Sequence, residues 1–171
     1  MSNKRLVGLW LATTFQLLIF FGMYVNAAMP MWTGVEVKLK TVPVDPRSMF
    51  RGNYARLRYD ISRIDQDHLT AIEQDNMRNG EVVYISLEPG VNDLYEFSSA
   101  SLQQPDSGVF IRGRIESEYG EVYRVNYGIE AFFAPKQEAL DLEKRLRKGA
   151  TAVLMVSADG KAGIKAVIAS P

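Results

Sequence analysis

The residues of this chain with the most chemical potential lie close together, in Thr41-Val42-Pro43-Val44-Asp45-Pro46-Arg47-Ser48-Met49-Phe50-Arg51-Gly52-Asn53-Tyr54-Ala55-Arg56-Leu57-Arg58-Tyr59. Pro43 and Pro46 restrict their neighbours to extended backbone and so fix the path of a loop. Asp45 and Arg47 can brace that loop through charge-assisted hydrogen bonds, and Arg51 can reach either a carboxylate or a ligand anion. Gly52 permits a turn or a close approach before a strand begins. Two readings of the segment compete. In the simpler one its charges pair internally. In the other it is a recognition loop, because Arg and Tyr are favoured at binding surfaces.

Other catalytic sets fare worse. His68 is the single histidine, between Asp67 and Leu69, and no Gly-x-Ser-x-Gly elbow accompanies it. Asp65, Asp67 and His68 lack the glycine and terminal glutamate of a calcium loop and the second histidine of a zinc site, so helix capping accounts for them better and no metal is expected. A serine–lysine pair would have to use Ser48 with Lys136 or Lys161, and no pattern around those lysines supports it. Glu130 stands among apolar residues in Gly128-Ile129-Glu130-Ala131-Phe132-Phe133. It faces solvent at a strand end, or it is buried against Arg47 or Arg51, which would join two distant segments into one site.

The elements that must position these residues begin with an apolar N-terminus. After Lys4 and Arg5 no ionisable group with a full charge occurs until Glu36, and Leu6–Ala28 is long enough to cross a hydrocarbon core of about 30 Å. Trp10 and Tyr24 lie near its ends, where aromatic rings favour the headgroup level. The stretch is apolar all round, unlike the helix of a soluble core. Val25-Asn26-Ala27 could serve a signal peptidase, but the apolar run exceeds a usual signal core, which favours an uncleaved anchor. The order of charges puts residues 1–5 in the cytoplasm, residues 6–28 across the inner (cytoplasmic) membrane, and the rest on the periplasmic or extracellular side. Met29–Gly34, broken by Pro30, reads as a linker to an exported domain over 35–171.

With 171 residues and no cysteine, the chain has room for one domain beside the anchor, and disulfides, zinc ribbons and thiol chemistry are excluded. A domain of about 140 residues buries enough apolar surface to fold without them. Net charge is zero and no long basic run occurs, which argues against nucleic acid as a partner.

Strict alternation marks strands over Val35–Thr41 and Tyr54–Ile61, the latter with Ala55, Leu57, Tyr59 and Ile61 on one face. Further strands are expected over Val82–Leu87, Val109–Glu116, Val122–Ile129, Ala152–Val156 and Ala162–Ala169. Helical spacing falls on Asp65–Arg78 and Pro135–Arg147. Val91–Gly108 reads as a long excursion. Ala158-Asp159-Gly160-Lys161 reads as a tight turn whose Asp-Gly pair supplies positive φ angles. These elements amount to an α+β domain, mainly antiparallel β, barrel- or sandwich-like, with about seven strands and two helices after one transmembrane helix.

The segment from Asp45 to Tyr59 resembles the GDYXXLXY family, named for Gly-Asp-Tyr-x-x-Leu-x-Tyr after an upstream Asp-Pro-Arg and Arg-Gly. Gly52, Tyr54, Leu57 and Tyr59 match, as do Asp45, Pro46, Arg47 and Arg51, while Asn53 replaces the motif aspartate. An amide cannot act as a general base, but it can still cap a turn. Tyr127–Pro135 and Ser157–Ala162 also look like family blocks. The resemblance implies a single-anchor protein associated with a multi-spanning membrane protein. It names no reaction.

The expected function is therefore that of a membrane-anchored accessory or binding protein. Asp45, Arg47, Arg51, Gly52, Asn53, Tyr54, Leu57, Tyr59 and Glu130 are its candidate contacts, and no cofactor is expected. The alternative is an exported hydrolase whose active site the sequence does not spell out.

Overall fold

The computed structural model describes residues 3–42, 54–65, 78–119, 122–133 and 149–169. The chain opens with helix α1 (Asn3–Thr33) and then forms β1 (Val35–Thr41), β2 (Tyr54–Arg56), β3 (Arg63–Asp65), β4 (Val82–Pro89), β5 (Tyr95–Ser101), β6 (Val109–Tyr119), β7 (Val122–Asn126), β8 (Ala131–Phe133), β9 (Ala150–Val156) and β10 (Ala162–Ala169). Two short 3-10 turns, Asp60–Ser62 and Val91–Asp93, precede β3 and β5. Pairing is antiparallel throughout, in a three-stranded sheet β1-β9-β10, a two-stranded ribbon β2-β8 and a five-stranded sheet β3-β7-β6-β4-β5.

The alternation read from the sequence explains this arrangement. Val37 and Leu39 of β1, Val83 and Ile85 of β4, Ile111 and Ile115 of β6 and Leu154 of β9 all enter one apolar cluster, and the neighbours of most of them along the chain face outward or are only partly covered. α1 contributes little to it. From Leu6 to Trp32 its large apolar side chains are exposed, and the helix is long and apolar enough to span a membrane.

Several expectations are corrected. The described residues hold ten strands rather than about seven, and one α-helix. The helices expected over 65–78 and 135–147 fall outside the described residues, apart from Arg78 and from Asp65, which closes β3. The 29–34 segment is not broken at Pro30, since α1 runs through that residue to Thr33. Val91–Gly108 contains β5, an edge strand. Its serines are exposed or only partly covered and its pairing with β4 shifts register between Ser86 and Leu87, so no period of two survives in the sequence. The strand expected over 54–61 ends at Arg56. In the last hairpin Gly160 alone takes positive φ, at 80°, within a turn closed by Gly160 N–H to Ser157 O at 2.9 Å.

Candidate functional site

The motif segment is a seam. At Tyr54–Arg56 it pairs with β8, and the Leu57 N–H donates to Glu130 O at 2.8 Å. It then changes partner, with the Val42 N–H donating to Arg58 O at 2.8 Å and Tyr59 bridging to Thr41 of β1. After the Asp60–Ser62 turn it joins β7 as β3. The stretch 54–65 thus ties the ribbon, the three-stranded sheet and the five-stranded sheet together. That explains the side chains it carries: Leu57, Tyr59 and Ile61 are buried in the core, while Arg58 and Asp60 are exposed.

A reciprocal clasp locks this seam to the 127–130 segment. The Tyr59 hydroxyl donates to Ile129 O at 2.7 Å, and the Tyr127 hydroxyl donates to Ile61 O. Each tyrosine crosses to the backbone of the other's segment. Burial raises both phenols well above their ordinary range, and the nearby Glu130 carboxylate adds to the effect. Glu130 and Asn126 hold the turn itself, accepting from the Tyr127 N–H at 2.6 Å and the Gly128 N–H at 2.9 Å. Gly128 has φ 77° there.

Beside the clasp lies a groove of about 70 Å³, room for one small group or a couple of waters. Leu57, Ser62 and Val125 form its buried floor, and Arg58, Arg63, Arg124, Glu116, Asn126 and Glu130 its walls. Arg63 and Arg124 are direct cross-strand partners in the β3–β7 register. Like charges so placed repel. Among the described residues none of the three arginines has a carboxylate within 4.0 Å, whereas Lys38, Lys40, Arg112 and Lys165 each do. The groove therefore offers guanidinium donors whose fork geometry matches a carboxylate or phosphate. No group of three or more metal-ligating side chains gathers among the described residues.

Of the residues singled out in the sequence, Asp45, Arg47, Arg51, Gly52 and Asn53 lie outside the described residues, as do His68, Ser48 and Lys136. Tyr54 contributes its backbone to β2. Leu57 and Tyr59 are each 1% exposed, packed in the core on either side of the exposed Arg58. Glu130 does reach the motif segment, through its backbone. Its carboxylate is engaged with the Tyr127 N–H, while the expected Arg47 and Arg51 partners lie outside the described residues. Sequence reasoning misses Arg63, Arg124 and Asn126. They belong to the site only through strand pairing across some sixty residues of sequence, which leaves no local signal.

The fold and the seam define a β-domain protein with one N-terminal helix of membrane-spanning length. The GDYXXLXY protein family model matches residues 16–167, most of the chain, and the protein belongs to that family. No curated protein and no solved structure matches it.

Proposed function

We propose that this chain is a single-pass, membrane-anchored binding protein whose exported β domain recognises an acidic group on a membrane partner. The anchor reading is supported by a helix of sufficient length and apolarity, exposed from Leu6 to Tyr24. Lys4 and Arg5 before it favour a cytoplasmic N-terminus and a domain on the periplasmic or extracellular side of the inner membrane. One observation carries the binding reading: three arginines, Arg58, Arg63 and Arg124, share a groove at the end of the motif segment with two carboxylates, Glu116 and Glu130, and among the described residues none of the three is ion-paired within 4.0 Å. Burying a carboxylate of a partner between Arg63 and Arg124 would relieve their repulsion and supply bidentate hydrogen bonds.

The test is co-purification from detergent-solubilised membranes with the full chain as bait. Arg63→Gln/Arg124→Gln should lose a membrane protein that the parent retains, while its thermal midpoint stays within a degree or two or rises, because removing a like-charged pair costs nothing. Retention of the same partner by the folded double variant would overturn the proposal.

A further inference from the structure

Pro30 lies inside α1, and proline has no N–H to offer the carbonyl four residues earlier. That carbonyl belongs to Asn26. It is taken instead by Lys161, whose Nζ donates to Asn26 O at 2.8 Å and lies 3.4 Å from Asn26 Oδ1. Lys161 sits at the tip of the β9–β10 hairpin, so the hairpin folds back along the helix by about 10 Å from its C-terminal end. Pro30 is itself buried, Met31 Sδ lies against Gly163 of β10, and the Gly34 N–H donates to Pro30 O at 3.0 Å. Helix and sheet are thus joined without slack.

We infer that the hairpin tip Ser157–Lys161 is a docking surface for the phospholipid headgroup layer, and that it sets the outer edge of the hydrocarbon core at Val25. The inference rests on α1 being the membrane anchor. Lengths decide between the possible edges. The whole apolar stretch Leu6–Thr33 has 28 residues and rises about 42 Å, so fitting it into a 30 Å core would require a tilt of about 45°, against about 20° in typical spans. At that tilt the Lys161 ammonium beside Asn26, and the hairpin tip with Asp159, would sit about 7 Å inside the hydrocarbon, where charge is strongly disfavoured. Leu6–Val25 alone rises about 30 Å, which matches the core without tilt.

Asn26–Thr33 then stands in the headgroup layer with the tip beside it. Tyr24 and Trp32 meet edge to face there, with ring centroids 6.3 Å apart, at the depth amphipathic rings prefer. The tip presents both signs of charge, as a phospholipid surface does. Lys161 supplies an ammonium, and Asp159 accepts from Ser157 Oγ at 2.5 Å and lies 3.9 Å from Arg112.

Trp32 reports the depth directly. The full chain with Trp10→Phe is inserted into phosphatidylcholine vesicles carrying a nitroxide either on the headgroup or on the acyl chain close to its ester, just inside the hydrocarbon edge. Stronger quenching by the headgroup label is expected, whereas an edge at Thr33 would bring Trp32 level with the acyl label. Stronger quenching by the acyl label, or none by either label in a chain that floats with the vesicles, overturns the inference. A chain that does not float with vesicles overturns the anchor reading and the inference together. Lys161→Met should lower the thermal midpoint of the parent and leave that of Pro30→Ala unchanged, because alanine at that position returns an N–H to the Asn26 carbonyl. An equal loss in both backgrounds would show that Lys161 does not act through the carbonyl that proline frees.

Discussion

Replacing Tyr59 with phenylalanine removes one oxygen and leaves the ring, so it isolates the hydroxyl's bond to Ile129 O at 2.7 Å. Tyr59 and Ile129 are 1% and 3% exposed, so water cannot readily replace the lost donor. A buried carbonyl stripped of its partner costs about 1–3 kcal/mol. At roughly 3 °C per kcal/mol for a domain of this size, the full chain in detergent should melt about 3–9 °C lower. Tyr127→Phe breaks the mirror bond to Ile61 O and should cost a similar amount. The double variant should cost less than the two together, because both bonds join the same two segments and losing one loosens the other.

The pH profile supplies a second reading of the same clasp. The folded-state pKa of both phenols is raised, so their contribution is intact below the unfolded value of about 10 and is lost as pH rises above it. Two such tyrosines give a slope of about 2.7 kcal/mol per pH unit above pH 10, and either single variant should halve the tyrosine share. Near-ultraviolet circular dichroism follows the unfolding, and absorbance at the phenolate band follows ionisation. A Tyr59→Phe chain as stable as the parent, or two phenols that ionise near pH 10 while the domain stays folded, would refute the clasp.

Two further outcomes follow from the junction between helix and sheet. A Cβ on Gly34 would meet Pro30 O and come within 2.9 Å of Val156 N, so Gly34→Ala should destabilise the chain by about 1–3 kcal/mol, read as a fall in thermal midpoint with loss of the Lys161 contact to the helix. The Asp159 carboxyl is held below its usual range first by Ser157 and then by the Lys161 N–H and Arg112. Its contribution should therefore be complete above about pH 4 and lost as pH falls through the lower folded value. With the group half exposed, the gap between parent and Asp159→Asn should be a few tenths of a kcal/mol at pH 7 and should close in acid.

What can be read from the residues depends on range. Strands with one buried face, such as Val35–Thr41 and Val82–Leu87, announce themselves by period. So does the inward set Leu57, Tyr59 and Ile61, although the backbone that carries it changes partner twice. β5 escapes because an edge strand has little to bury, and β3 and β8, at three residues each, are too short to show a period. Pro30 reads as a breaker because the donor that compensates it, Lys161, lies 135 residues from the Asn26 carbonyl it takes up. The tyrosine clasp and the facing pair Arg63 and Arg124 are likewise products of distant pairing. Types of residue mark the right neighbourhood, and tertiary structure chooses which of them meet.

The binding role of the arginine groove is tested most directly by photo-crosslinking in intact cells, with a benzophenone side chain placed at Arg58. The same group at Glu96, exposed on β5 at the opposite edge of the five-stranded sheet, serves as the comparison. An adduct with one membrane protein from position 58, absent from position 96 and suppressed by Arg63→Gln/Arg124→Gln, is the predicted result. Equal adducts from both positions, or an adduct from position 58 that persists without the two arginines, would contradict it.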